Sequence, residues 1–171
     1  MDLNDIFRFV APEVRTAAIQ TSEQLKKIGV RHALAGGLAV GAHGYVRATT
    51  DVDFLVGDEA FESHGGLVTF KAGVPIEVGG IRVDYLSPVA LGAHMERALE
   101  QAPQSLELAV VPIEALIYMK LVAKRRKDLL DVVELLRRVT CEKAISDYLQ
   151  THSPELLPLF HTLSAEALED S

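Results

Sequence analysis

Gly36-Gly37, followed by Arg47-Ala48-Thr49-Thr50-Asp51-Val52-Asp53-Phe54-Leu55-Val56, constrains this chain more than any other stretch. His32 to Ala35 reads as a short buried strand ending at the glycines. Leu38 to Tyr45 then reads as a short helix and Asp51 to Val56 as a second strand. Alternate residues of a strand share a face, so Asp51 and Asp53 project together while Val52, Phe54 and Val56 turn the other way. Strand rise sets the two aspartate Cα atoms roughly 7 Å apart, close enough for their carboxylates to share a divalent cation. Two like charges held this close call for a counter-ion, and a metal is the natural one. The Gly-Gly turn sets bare backbone N–H groups at a helix N-terminus, which suits a phosphate. A phosphate cradle beside metal-binding carboxylates points to nucleotide chemistry.

A third carboxylate comes from Ile81 to Leu86, which alternates cleanly. Ile81, Val83 and Tyr85 lie on one face, and Arg82 and Asp84 on the other. A neighbouring strand could bring Asp84 beside Asp51 and Asp53. Three carboxylates on adjacent strands would hold two Mg²⁺ ions, with Mn²⁺ an acceptable substitute. One ion would lower the pKa of an attacking hydroxyl, and the other would clamp a triphosphate and its departing pyrophosphate. Beyond positioning and charge neutralisation, little side-chain chemistry is then required.

Composition bounds the context. The 171 residues suit one domain with a helical extension, and a 49% apolar share is ample for a core. No apolar run approaches the roughly 20 residues of a membrane span, so no membrane partner is expected. Met1 to Asp5 lacks the basic and apolar regions of a signal peptide, and Cys141 is the only cysteine, so a cytoplasmic setting is expected. A net charge of −7 argues against broad nucleic-acid binding. It leaves room for a local basic patch: Lys120, Lys124, Arg125, Arg126 and Lys127, followed by Arg137 and Arg138. A solvated helix face accounts for these charges equally well.

Helical periodicity runs from about Asn4 to Ile28, with Pro12 and Thr21-Ser22 as candidate breaks and Gly29 as a C-cap. Leu67 to Phe70 and Val74 to Val78 are strand-like, Gly79-Gly80 is a turn, and Val89 to Gln101 reads as a helix. Asp58 to His64 is too brief for a helix. A strand over Leu106 to Val111 precedes Pro112, which opens a helical region to Val139, and two further helices end near Ala167. The order predicts an α/β (α+β) fold with a mixed β-sheet flanked by helices and a helical C-terminal third. A core over 1–111, with its N-terminal helix, and a helical extension over 112–171 would pack as one unit. A Rossmann reading fails, because no G-x-G-x-x-G follows the first strand.

Gly36-Gly37, Asp51-Val52-Asp53 and Asp84 resemble the nucleotidyltransferase superfamily that includes DNA polymerase β. The chain looks most like the small bacterial enzymes related to AbiEii-type toxins, through Gly36, Gly37, Ala39, His43, Gly44, Arg47, Thr49, Asp51 and Asp53. The resemblance extends through Lys120, Lys127-Asp128 and Asp131, covering about 28–138. It implies a Mg²⁺-dependent enzyme that moves a nucleoside monophosphate from an NTP to an acceptor hydroxyl. Asp51 and Asp53 would ligate both metals, and Asp84 would complete the site and orient or deprotonate the acceptor. The Gly36 and Gly37 amides, Arg47 and Thr49 would sit on the nucleotide side, with Lys120 neutralising the triphosphate.

Several alternatives stay open. Arg47 can instead pair with an aspartate. Lys127, Asp128 and Asp131 either serve the nucleotide or mark a break between helices, with Asp128 as an N-cap. His43 reads as a capping or packing histidine. The acceptor implied by the resemblance is a tRNA, a protein or, as in antibiotic-modifying relatives, a small molecule, and a cognate antitoxin is a possible partner. A competing reading is a catalytically inactive nucleotide- or partner-binding module of the same fold. One departure stands out: Gly37 replaces a serine common among relatives.

Overall fold

A computed structural model describes residues 7–103 and 107–169. Asn4 to Ile6 of the expected first helix, the Met1 to Asp5 segment and Leu106 lie outside the described residues. The fold is mixed α+β. A four-stranded mixed sheet carries helices on both faces, and the C-terminal third is helical.

After a 3-10 turn at Phe7–Phe9, helix α1 (Pro12–Lys27) starts on proline, whose fixed φ and missing N–H suit a first helical position. It ends at Ile28, and Gly29 takes φ +73° to turn the chain into β1 (His32–Leu34). Helix α2 (Gly36–Ala42) begins on the glycines themselves, earlier than the periodicity predicts, and β2 (Val52–Val56) follows. β1 and β2 pair antiparallel, and β2 pairs in parallel with β6 (Ile81–Leu86).

The connection from β2 to β6 departs most from the sequence reading. Asp58–Ala60 is a 3-10 turn, and Phe61–His64, where the sequence pattern predicts no element, forms strand β3 against β4 (Leu67–Phe70) in a separate hairpin. Stacking of Phe61 on Phe70, at 5.4 Å between ring centroids, and of Phe70 edge-on to Tyr85 ties this hairpin to the sheet. Of Val74 to Val78 only Glu77–Val78 (β5) pairs, with the edge of β6. Within the described residues, the expected strand over 106–111 reduces to one parallel bridge between Val110 and Leu34.

Two expected helices are each divided by the backbone. Pro88–Leu91 (α3) and His94–Gln101 (α4) part at Gly92, whose φ is +118°. Ile113–Ala123 (α5) and Arg126–Leu136 (α6) part at Lys124, the only non-glycine with positive φ among the described residues. Helices α7 (Glu142–His152) and α8 (Leu157–Glu169) finish the chain.

Strand alternation sorts the core into two layers. Val52, Phe54, Val56 and Val83 face α1, together with Leu34 and Leu38. Ala33, Ala35 and Leu55 face the C-terminal helices, where Leu99, Leu116, Leu121, Val132, Ile145 and Phe160 are buried. Asp51 and Asp53 share register parity with Leu55, and Arg82 and Asp84 share it with Leu86, so they emerge on the face that α5 and α6 approach. Among the described residues, no helix is long and apolar enough to cross a membrane.

Candidate functional site

Parallel pairing of β2 with β6 places Asp53 opposite Asp84, with Val52 opposite Val83. Asp51 lies two residues before Asp53 on the same face. A cavity of about 370 Å³ opens over these strands, and Gly36, Gly37, Arg47, Asp51, Asp53, Asp84, Lys120, Lys127 and Asp128 all contribute to its wall. Residues that the sequence scatters over most of the chain thus meet in one place. Thr49 is the exception among the predicted nucleotide-side residues. It is buried, its Oγ1 has no hydrogen-bond partner, and it packs behind Gly37 rather than lining the cavity.

The glycine turn is fitted to the carboxylates. Gly36 has φ +56°, and a β-carbon there would fall on the Asp53 carboxylate. At Gly37 a β-carbon would stand 2.5 Å from Thr49 Oγ1. Thr49 therefore fills the space a serine side chain would claim, which accounts physically for the glycine.

Charge is unevenly compensated across the cavity. Burial, the neighbouring charges of Asp51 and Asp84, and only partial relief from Lys120 and Lys127 push Asp53 above the usual carboxylate range. Arg82 Nη2 bonds Asp84 Oδ2 at 2.6 Å and stands 3.9 Å from Asp51 Oδ2. The donor set, three carboxylates with hard oxygen ligands facing one cavity, matches Mg²⁺ or Mn²⁺ in the kind of ligand. As the side chains stand, no three His, Cys, Asp or Glu groups among the described residues are gathered to hold a metal ion.

On the opposite wall a buried ionic network joins the two halves of the chain. Lys120, only 5% exposed, bonds Asp128 Oδ1 at 3.0 Å and Asp131 Oδ2 at 2.8 Å. Arg47 forks onto Asp131, Nε to Oδ1 at 2.7 Å and Nη2 to Oδ2 at 2.8 Å. Of the two sequence readings of Arg47, aspartate pairing is the contact present, and that hydrogen bond raises its pKa further above the ordinary guanidinium value. Arg125 Nε bonds Asp128 Oδ2 at 2.6 Å. Burial pushes Asp128 upward, but the Arg125 and Lys120 hydrogen bonds outweigh it and hold the carboxyl below its usual range. Asp128 is not an N-cap. The cap position is Arg125, and Asp128 sits inside the first turn of α6, fully buried.

The left-handed residue Lys124 produces this arrangement. It reverses the chain between α5 and α6, so Lys120 near the end of one helix meets Asp128 and Asp131 near the start of the next. Lys120 therefore lies on one helix, Lys124 at the turn, and Lys127 and Asp131 on the next helix, rather than along a single helix face. His43 closes α2, and its Nε2 lies 2.8 Å from the Val111 carbonyl, a packing role.

Two features escape the sequence reading. Asp131 as the shared acceptor of Arg47 and Lys120 has no local signal, because its partners lie in other elements. An apolar wall formed by Leu86, Leu91, Leu116, Met119 and Val122 reaches the same cavity. Of these only Leu86, at its alternating strand position beyond Asp84, was open to detection from the sequence pattern.

Among solved structures, the chain is similar to an antigenic nucleotidyltransferase-like protein from Paracoccidioides brasiliensis. Identity is 15%, coverage is 90% of this chain and 94% of that chain, and the TM-score is 0.48. No protein-family model matches the chain, and no curated protein sequence matches it.

Proposed function

We propose that this chain is a nucleotidyltransferase, dependent on Mg²⁺ or Mn²⁺, that transfers a nucleoside monophosphate from an NTP to an acceptor hydroxyl. The observation that carries this reading is the parallel register Asp53–Asp84, with Asp51 on the same face and the Gly36 turn packed against Asp53. The acceptor oxygen forms a bond to the α-phosphorus, the bond from that phosphorus to the bridging oxygen breaks, and pyrophosphate leaves. Asp51, Asp53 and Asp84 would hold the divalent ions, which supply Lewis-acid activation of the acceptor and charge neutralisation of the triphosphate.

The chain's own groups do the positioning. Asp84, the more exposed partner on β6, orients the acceptor hydroxyl and receives its proton. Backbone amides at Gly36 and Gly37 approach phosphate closely because no side chain intervenes. Lys120 contributes positive charge from a fixed position, held by Asp128 and Asp131, and Lys127 adds an exposed cation at the rim. The apolar wall from Leu86 to Val122 gives a nucleobase a dry surface.

For the acceptor, one observation favours a polyanion such as the end of an RNA. Lys124, Arg125, Arg126 and Lys127 are all exposed at the α5–α6 break, and Arg125 and Lys127 reach the cavity itself. A toxin-like role with a cognate antitoxin is part of this proposal, and protein or small-molecule acceptors are its rivals. The test supplies α-³²P-labelled NTPs and Mg²⁺ with a bacterial lysate and fractionates RNA, protein and small molecules. Label that depends on intact Asp51 and Asp53 supports transfer, and the labelled fraction identifies the acceptor class. NTP binding without pyrophosphate release would identify an inactive binding module instead.

A further inference from the structure

Arg82 reaches two of the three carboxylates that the proposed function assigns to metal. Strand alternation puts it on the face of Asp84, two residues away. Its Nη2 bonds Asp84 Oδ2 at 2.6 Å while standing 3.9 Å from Asp51 Oδ2. It is thus the nearest cation to two of three carboxylates. Lys120 and Lys127 reach Asp53 only through space, and Lys120 is already bonded to Asp128 and Asp131. The Arg82 side chain is also open to solvent, 70% exposed, whereas the Lys120 side chain is 6% exposed.

We propose that Arg82 is a displaceable internal counter-ion that competes with divalent metal for Asp84 and Asp51; this rests on the metal-binding role of those carboxylates. The guanidinium and a divalent cation repel each other across the same Asp84 carboxylate, so metal entry favours a guanidinium that has swung out. An exposed ion pair is weak, because water replaces much of what is lost on breaking it. The competition is therefore modest and reversible. It neutralises the site between turnovers and sets a floor on the metal concentration needed to load it. Once released, the guanidinium lies at the cavity rim, where incoming phosphate carries negative charge, so metal loading frees a cation for the nucleotide. Arg82 is a positioning residue that acts through Asp84.

The test is direct Mn²⁺ titration by calorimetry on the nucleotide-free full chain. It compares the wild type with Arg82→Gln, Arg82→Lys and Asp53→Asn. Removing the competing charge should tighten Mn²⁺ binding by about two- to fivefold in Arg82→Gln, the strength of one exposed ion pair. Arg82→Lys, which keeps the charge, should stay near wild type, and Asp53→Asn should lose the site. Unchanged or weaker binding in Arg82→Gln, with the Asp53-dependent site intact, overturns the role of Arg82 and leaves the metal site standing. Absence of any Asp53-dependent Mn²⁺ binding in all variants overturns the metal assignment and this inference with it.

Discussion

Asp131 holds Arg47 by both carboxylate oxygens, at 2.7 and 2.8 Å, and so fastens the loop before β2 to helix α6. The carboxylate also accepts from Lys120, so one nearly inaccessible anion balances two cations. Breaking such a pair from one side leaves charge buried without compensation, which costs about 3–5 kcal/mol. Asp131→Ala should lose stability on that scale, measured by urea unfolding. Lys120→Met should lose less, because Arg47 still pairs Asp131 and Arg125 still pairs Asp128. Equal losses for both would show that Asp131 is not the hub.

Asp53 sets function against stability. Its pKa is raised by burial and by Asp51 and Asp84, so the folded state binds its proton more tightly than the unfolded state does. Ionised Asp53 therefore costs stability at neutral pH, and the cost disappears as pH falls through the raised folded value toward the unfolded value of about 3.9. Asp53→Asn should raise the metal-free melting temperature at pH 7.5, by about 2–4 °C for each kcal/mol gained. The advantage should shrink near pH 4, and nucleotide transfer should be abolished. A lower melting temperature at pH 7.5 would contradict this electrostatic account.

Gly37 and Thr49 form a steric pair. Gly37→Ser brings a β-carbon to 2.5 Å from Thr49 Oγ1 and should destabilise the fold by about 1–3 kcal/mol, typical of overpacking. In a Thr49→Ala background both clashing side-chain atoms are gone, so the same serine should cost markedly less. A double-mutant cycle of unfolding free energies checks this, and a coupling near zero would disprove it.

Acid should loosen the fold through two histidines. His32 is buried, with Nε2 2.7 Å from Ser22 Oγ and Nδ1 2.8 Å from the Val30 carbonyl. Burial lowers its pKa. His94 stacks on His152 with ring centroids 4.5 Å apart, and burial followed by the His152 charge lowers its pKa too. Each lowered pKa favours the neutral ring in the fold, so the contribution of both is intact above the unfolded pKa of about 6.5 and is lost as pH falls below it toward the folded values. Unfolding free energy should drop between pH 7.5 and 5.5, and His94→Phe should flatten that drop. An identical pH slope in the variant would clear His94 of any part.

The sequence made legible what depends on neighbours along the chain. The period-two alternation of β2 and β6 put Asp51 and Asp53 on one face and Asp84 with Arg82 on another strand's polar face, and the sheet keeps both assignments. The Gly-Gly turn, the break of the helical pattern at Pro12 and the turn at Gly29 are local chemistry of the same kind. A break between helices near Lys127 and Asp128 was one sequence reading, but its actual place at Lys124 was not legible, because no residue type there demands a left-handed backbone. Of the β3–β4 hairpin only β4 was legible; Phe61–His64 is short and mostly exposed, so no buried stripe marks it.

What only the tertiary structure decided is which distant groups became partners. Parallel register chose Asp84 for Asp53, and the turn at Lys124 delivered Lys120, Asp128 and Asp131 to Arg47. Alternation along a strand follows from backbone geometry at each residue, so a sequence carries it directly. Register and helix docking follow from the packing of whole apolar faces, a cooperative property to which every core residue contributes and which no short motif encodes.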